Sequence, residues 1–301
     1  MRSRRGVMRL PIRLAVAAFA LGLGSAAADG IQVSEEDAIA YAAAPHFKAL
    51  AASAPSAPGP ALVRFSFNYD TPETALRAAL AYCEEARRKT DDPDQRSSCR
   101  PVRIGPYPAE DDKGNDLPAD RLQGLLDRYL EESIAALRKR LELSNDRATR
   151  TSLETILHKS GRLAESEALL TDLAASGESL ARNALAYHWA ERNTNLGEAL
   201  AYAESAIASD PETASFRDTR ALVLYRLGRI DEATAESERA VALDPHPIIL
   251  DHYGDLLWVR GQCADAARAW QRAVTGSQDI LFRQRVEKKI ATGLAGPPAF
   301  D

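Results

Sequence analysis

The chain has 301 residues, with 43 acidic and 38 basic side chains and a formal net charge of −5 at pH 7. An acidic surface repels phosphate backbones, and the sequence has no basic stripe with interleaved aromatic residues, so nucleic acid is excluded as the expected partner. Anionic membrane surfaces are disfavoured for the same electrostatic reason.

The first 28 residues have the layout of a secretory signal peptide. Met1–Ala28 contains five arginines and no acid, and its apolar run covers residues 14–23. Small residues at Ala26 and Ala28 favour cleavage before Asp29. A run of about ten residues is too short to span a bilayer, and a retained N-terminal anchor helix is the alternative. We expect a periplasmic or secreted protein whose mature chain has no membrane span.

Two export routes fit this leader. Residues 3–9 resemble a twin-arginine (Tat) signal, and an arginine-rich leader for ordinary Sec-dependent secretion fits at least as well. No cysteine follows the apolar run, which argues against a lipid anchor at the cleavage point. Removing Met1–Ala28 takes away five of the 38 basic residues and none of the 43 acids, which leaves a mature charge near −10.

The three cysteines favour one disulfide bond in an oxidising compartment. Cys83 and Cys99 bracket a polar loop over residues 90–98, and closing a loop of this size stabilises a fold by about 3 kcal/mol. Cys263 is then left over, and we interpret it as a small packing residue at the start of a helix. Neither cysteine of the pair has a Cys or His at zinc-ligand spacing, so no metal site is expected.

Two stretches are interpreted as linkers. Residues 29–61 form an N-terminal segment whose part from Ala49 to Pro60 is rich in alanine and proline, a composition that buries little surface. Residues 107–118 are rich in proline and acids and are taken as the boundary between two domains. A helical lead-in over residues 119–146 follows, with leucine and isoleucine at helical spacing from Ala119 to Leu143.

A small strand–helix–strand unit is predicted between these linkers, over residues 62–106. Leu62–Tyr69 alternates apolar and polar residues, which predicts a strand. Residues 70–73, Asp-Thr-Pro-Glu, supply an N-cap candidate and a proline at the first helical position, and an amphipathic run over residues 74–89 continues the helix. Residues 100–105 predict a second short strand.

A sequence repeat begins at position 147 and has the length of a helix–turn–helix unit, about 34 residues. Aligning the glycine-led turns at Gly161, Gly228 and Gly261 brings one small residue of each repeat into register. These small residues, at nearly equal steps, are Ser166, Ala199, Ala233 and Ala266. In the last three repeats a second alanine follows two helical turns later, at positions 206, 240 and 273. Helices pack closely where one of them presents small side chains, so the pattern predicts stacked helical hairpins.

Residues 147–277 resemble four repeats of the tetratricopeptide-repeat (TPR) family, of the exported or periplasmic proteobacterial type. Repeat 4 comes closest to the family pattern, through Leu250, Tyr253, Gly254 and Leu257 in its first helix and Ala266 and Trp270 in its second. The resemblance implies a mostly α fold, a C-terminal TPR α-solenoid preceded by the small α+β unit. Residues 278–301 would be a solvating cap helix, Ile280 to Leu294, and a tail.

Two repeats depart from the family pattern. Repeat 1 has Glu154 where a small residue is expected and Ser166 in place of alanine. Repeat 3 has Arg217 and Arg220 where apolar residues are usual, so its packing is expected to be less tight.

The resemblance implies that the first helices of the repeats line a concave groove, which binds another protein or a peptide. The side chains expected to face this groove are Asn183, Tyr187, Asp218, Leu222, Tyr225, Arg226, Asp251, Asp255 and Trp258. Core packing is the alternative for the aromatics, and a solvated surface is the favoured alternative for Asp218 and Asp251. An aromatic groove with scattered acids would suit an apolar or basic segment, such as an amphipathic helix.

A non-catalytic scaffold of the bacterial cell envelope is therefore the expected function, with no cofactor and no catalytic residue. None of the five histidines lies in an H-E-x-x-H motif, and no G-x-S-x-G or phosphate-binding glycine loop occurs. His188 and His252 are interpreted as partly buried packing residues. Two alternatives stay open: a self-associating structural component, and an enzyme with an unrecognised site in the N-terminal unit.

Overall fold

The computed structural model of the chain describes residues 47–53, 63–89, 98–111 and 115–296. The predicted signal peptide, its cleavage site and residues 54–60 of the predicted linker lie outside these ranges. The chain divides into two compact units, an N-terminal unit that ends at Asn145 and a helical array that starts at Asp146. Among the described residues, no helix combines the length and the apolar character that crossing a bilayer requires.

The N-terminal unit contains a four-stranded antiparallel sheet in the order β2-β1-β3-β4. The strands are β1 Phe47–Ala52, β2 Val63–Tyr69, β3 Arg100–Ile104 and β4 Tyr107–Pro108. Both predicted strands are present, but the linker predicted from Ala49 is wrong over its first four residues. They belong to β1, which pairs with both β2 and β3 and is at most 2% exposed from Ala49 to Ala52. A buried strand has no reason to alternate apolar and polar residues, which is why the pattern missed it.

Helix α1, Pro72–Arg88, packs on β1 and β2. Its N-terminus is capped as the sequence predicts: the Thr71 hydroxyl accepts from the Thr74 amide at 3.2 Å, and the Thr74 hydroxyl accepts from the Thr71 amide at 3.2 Å. Cys83 in this helix is bonded to Cys99, next to the start of β3. The disulfide therefore ties the helix to the sheet on which it packs.

Helix α2, Ala119–Ser144, confirms the predicted lead-in helix but belongs to the N-terminal unit. It packs on α1 and β3, and the Tyr129 ring meets the Phe47 ring edge-on at 5.0 Å. Residues 107–118 are therefore not a domain boundary, since they contain β4 and a bridge between Glu110 and Asp116. The division falls after α2, and the proline and acid content of the preceding segment reflects a turn-rich sheet edge.

Nine helices form the described part of the helical array, and each packs on its sequence neighbours within the array. They are α3 Arg147–Lys159, α4 Leu163–Ala175, α5 Ser179–Glu191, α6 Leu196–Ser209, α7 Ala214–Arg226, α8 Ile230–Leu243, α9 Pro247–Val259, α10 Cys263–Gly276 and α11 Ile280–Thr292. The pairs α3–α4, α5–α6, α7–α8 and α9–α10 are the four predicted repeats. Helix α11 follows α9 at the same interval at which α9 follows α7, so it stands where the first helix of a fifth repeat would begin. The predicted fold class, mostly α with a C-terminal solenoid of helical hairpins, is confirmed.

The predicted turns and small residues explain the stacking. Gly161, Gly228 and Gly261 have φ of 78°, 76° and 77°, a left-handed conformation that favours glycine and that ends each first helix in the same way. The alanines at both register positions are fully buried: Ala199, Ala206, Ala233, Ala240, Ala266 and Ala273. Cys263 begins α10 as predicted, but its side chain is exposed, so its interpretation as a packing residue is wrong.

Both departures from the repeat pattern are compensated inside their own hairpins. In repeat 1, the buried Ser166 hydroxyl donates to Glu154 Oε1 at 3.0 Å, so the two unusual residues satisfy each other. In repeat 3, Arg217 and Arg220 each donate to Glu236 at 2.6 Å, and Glu236 is only 1% exposed. The expected looseness of repeat 3 is therefore not observed, because a buried acid on the second helix pairs with both arginines.

Candidate partner-binding site

Polar pairs link the successive first helices of the array, at positions about one repeat apart. The pairs and their separations are Glu154–His188 at 3.1 Å, His158–Glu191 at 2.7 Å, Asp218–His252 at 2.8 Å, Asp251–Lys289 at 2.8 Å and Asp255–Lys289 at 2.9 Å. Three of the predicted groove residues, the aspartates, belong to these pairs. They are directed at a neighbouring helix rather than at a partner.

The prediction that Asp251 and Asp255 face the groove is wrong. They are 1% and 0% exposed, and α11 covers them: Lys289 reaches both carboxylates, and Arg285 lies 3.4 Å from Asp251. Trp270 Nε1 also donates to Asp255 at 2.9 Å. Burial raises the pKa of Asp255, although Lys289 opposes this. Helix α11 was predicted to be a solvating cap. Its basic residues instead neutralise the acids of repeat 4.

The prediction that Asp218 and Leu222 face the groove is also wrong. Asp218 is 9% exposed and is hydrogen-bonded to His252 Nδ1 at 2.8 Å, and Leu222 is fully buried in the central apolar cluster. The predicted solvated surface for Asp218 and Asp251 is therefore wrong as well. His252, at 2% exposure, is more completely buried than the partly buried packing residue that was predicted.

Trp258 packs against the core, as in the alternative prediction for the aromatics, but its side chain stays partly exposed. Its ring lies 5.6 Å from the Trp270 ring, and a Cβ on Gly293 would fall 2.2 Å from it. The indole thus lies between α10 and the end of α11, where one part of it packs against the C-terminal apolar cluster.

Besides Trp258, four predicted residues stay partly exposed, and they define the α5–α7 face: Asn183, Tyr187, Tyr225 and Arg226. Asn183 and Tyr187 lie one turn apart on α5. Arg226, at the end of α7, donates through Nε to the Ala190 carbonyl at 3.0 Å, which brings it to the end of α5. Its guanidinium carbon also lies 5.6 Å from the centre of the Tyr225 ring. The face is therefore continuous from one first helix to the next.

The α5–α7 face offers apolar rings and one hydrogen-bonding amide. Tyr187 and Tyr225 pack their inner edges on the central apolar cluster, which holds the rings in place. The Asn183 Oδ1 atom is buried and has no hydrogen-bond partner among the described residues. An unsatisfied buried amide oxygen carries a desolvation penalty of about 1–3 kcal/mol. Of the four residues that define the face, Arg226 is the cation and none is an acid.

No protein-family model and no curated protein sequence matches the chain. Among solved structures, the TPR protein TTC0263 of Thermus thermophilus is 20% identical with a TM-score of 0.49, covering 57% of this chain and 95% of its own. PilF of Pseudomonas aeruginosa is 18% identical with a TM-score of 0.41, covering 56% and 81%. YrrB, described as a TPR protein with an unusual peptide-binding site, is 18% identical with a TM-score of 0.37, covering 56% and 88%.

The Asp218–His252 pair makes the stability of the array depend on pH. Burial lowers the pKa of His252, but the charge and hydrogen bond of Asp218, together with Asp251 and Asp255, outweigh burial and raise it above 6.5. The stabilisation is thus complete below pH 6.5 and is lost as the pH rises through the higher pKa of the folded state. We expect the urea midpoint to fall over this range in the wild type and to fall less in Asp218→Asn. Equal pH profiles for the two proteins would contradict the assignment.

Proposed function

We propose that the helical array is a non-catalytic scaffold that binds an apolar segment of another protein, or a peptide, on the α5–α7 face. The observation that supports this most is the selective burial of the predicted groove. Its three acids are paired with His252, Lys289 and Arg285, whereas the tyrosines, Asn183 and Arg226 stay accessible. The basic segment that scattered acids would suit is therefore no longer favoured.

The chemistry of the face defines the kind of segment. Two tyrosine rings held by core packing supply rigid contact area with little loss of side-chain entropy, which is typical of residues that dominate binding energy. Asn183 adds a partly exposed polar side chain to the same face. We infer an apolar segment, helical or extended, that packs on the two tyrosine rings.

Replacing Tyr187 by alanine is expected to weaken peptide binding at least ~10-fold, which corresponds to about 1.4 kcal/mol, because it removes the central ring of the face. Ligands would be selected from a displayed library of random peptides on the wild-type chain. Fluorescence anisotropy of the labelled winners would then give the affinities. The matched control is Leu243→Ala, which removes a 37%-exposed apolar side chain at the end of the second helix α8. Peptides that bind Tyr187→Ala as tightly as wild type would refute the proposed face.

We further propose that the scaffold acts in the bacterial cell envelope. The leader-like sequence of residues 1–28 and the bonded Cys83 and Cys99 support an oxidising, exported location. Fractionation of cells that express the untagged chain is the direct test. A chain recovered from the cytoplasm with an intact N-terminus and free thiols would refute this part of the proposal while leaving the binding face untouched.

A further inference from the structure

Four ionisable side chains converge between α3 and α5. Glu154 and His158 lie one turn apart on α3, and His188 and Glu191 lie about one turn apart on α5. The two imidazole rings are stacked, with centroids 3.7 Å apart and planes inclined by 6°. Each ring is bonded through Nε2 to a carboxylate of the other helix: His188 to Glu154 at 3.1 Å and His158 to Glu191 at 2.7 Å.

The carboxylates determine which ring nitrogens carry hydrogen. An ionised carboxylate only accepts hydrogen bonds, so each Nε2 must be the donor. In a neutral imidazole the lone pair is then on Nδ1.

Both Nδ1 atoms are buried without a hydrogen-bond partner among the described residues. His188 is only 4% exposed, and the side chain of His158 is 11% exposed. Buried polar atoms of native proteins are nearly always satisfied, so two adjacent orphans require an explanation. Ligand atoms of Glu154, His158 and His188 lie within 4.8 Å of one another, which is close enough to converge on one ion.

The Asp218–His252 pair of the same array is a simpler arrangement than this cluster. That pair joins one acid to one imidazole at the equivalent interface of repeats 3 and 4. Between repeats 1 and 2 a second imidazole is stacked on the first, and an ion pair alone does not account for it.

We propose that Glu154, His158 and His188 bind one divalent transition-metal ion of the zinc type. Two imidazole nitrogens and a carboxylate oxygen form a donor set that zinc and its neighbours prefer over magnesium or calcium. Glu191, bonded to the remote nitrogen of His158, would orient that ring as carboxylates do around metal-bound histidines. A fourth position is left to solvent or to a further side chain.

Binding requires one local movement. A metal ion lies in the plane of an imidazole that binds it, and two parallel planes 3.7 Å apart cannot share an ion. At least one ring must therefore turn about its Cβ–Cγ bond, which separates the stacked pair. The ring of Tyr187 lies 6.5 Å from His158 and 6.3 Å from His188, so a tyrosine of the binding face adjoins the moving ring. The ion would fasten repeat 1, the repeat farthest from the family pattern, to repeat 2.

The test is a calorimetric titration of the chelator-treated, untagged mature chain with zinc chloride at neutral pH. We expect one zinc ion per chain, with affinity at least ~10-fold weaker in His158→Gln and in His188→Gln and abolished in the double variant. The matched control is His252→Gln, which removes a buried histidine paired with one acid and should leave zinc affinity unchanged. No binding by the wild type, or equal binding by the double variant, overturns the proposal.

A measurement on the wild type keeps the test decisive if a variant fails to fold. Long-range ¹H–¹⁵N spectra of selectively labelled histidines distinguish a protonated, a free and a metal-bound ring nitrogen. Addition of zinc should shift the resonances of two of the five histidines and leave the others in place. Shifts confined to exposed His246, or no shift at all, would show that the α3–α5 cluster does not bind the ion.

Discussion

Replacing Glu236 by alanine is expected to lower the free energy of unfolding of the array by about 3 kcal/mol. Glu236 is 1% exposed and accepts at 2.6 Å from both Arg217 and Arg220, whose side chains are 20% and 21% exposed. Without the acid, Arg217 keeps its hydrogen bond to the Pro211 carbonyl, and Arg220 keeps its ion pair with the half-exposed Glu204. The residual exposure of the arginines places the loss at the lower end of the range for a broken buried pair.

The measurement is urea denaturation followed by tryptophan fluorescence, since Trp189, Trp258 and Trp270 all lie in the array. The control is Glu238→Ala, an exposed acid on the same helix, which should change stability by less than about 0.5 kcal/mol. A triple variant, Arg217→Leu, Arg220→Leu and Glu236→Ala, should recover most of the loss, because apolar residues restore the family pattern. Equal stability of Glu236→Ala and Glu238→Ala would contradict the compensation described for repeat 3.

Replacing Gly254 by alanine is expected to destabilise the array by about 2 kcal/mol. A Cβ at this position would fall 2.5 Å from Cδ1 and Nε1 of Trp270, which is fully buried and bonded to Asp255, so the ring cannot move aside cheaply. The matched control is Gly197→Ala in α6, where a Cβ meets nothing within 4 Å. That change should leave stability unchanged or raise it by up to about 0.5 kcal/mol.

The same fluorescence measurement compares the two glycine variants. Opposite signs of the change, with the loss confined to Gly254→Ala, are the expected pattern. Should both variants gain stability, the close approach of α9 to α10 at Trp270 would be absent in solution. If the clash is real, combining Gly254→Ala with Trp270→Phe, which has a smaller ring, should restore part of the stability that Gly254→Ala loses.

The repeat architecture could be predicted because it depends on local, periodic features. Buried alanines at fixed steps and glycines with positive φ recur at the same point of each hairpin, and they require no knowledge of distant residues. The unusual residues of repeats 1 and 3 could be recognised in the sequence, but their partners could not be identified from it. Ser166 follows Glu154 by 12 residues, and Glu236 follows Arg217 by 19 residues. Only the packed hairpin shows that the two members of each pair are in contact.

Strand β1 and the true end of the N-terminal unit were missed because their evidence is tertiary. The sequence Phe-Lys-Ala-Leu-Ala-Ala of Phe47–Ala52 lacks alternation and runs into proline-rich residues, and it becomes a strand by pairing with β2 and β3 on either side. Helix α2 likewise resembles an array helix in sequence, and only its contacts with α1 and β3 assign it to the N-terminal unit.

For a similar reason, the sequence could predict which helix face forms the candidate site but not which of its side chains are accessible. The helix face that carries Asn183, Tyr187, Asp218 and Asp251 follows from the repeat register. Which of these side chains a neighbouring first helix covers depends on partners one repeat away, such as Lys289 and His252. Comparing positions one repeat length apart would have found these pairs, and it would also have brought the acids and histidines of α3 beside those of α5.

The central claim is that a partner segment lies on the α5–α7 face, and site-specific photo-crosslinking in cells tests it most directly. A benzophenone amino acid would replace Tyr187 in one variant and Leu243 in another, and the cells would be irradiated before lysis. We predict a discrete adduct with a different protein from position 187 and none from position 243. Equal adducts from both positions, an adduct only with a second copy of this chain, or no adduct from position 187 would contradict the claim.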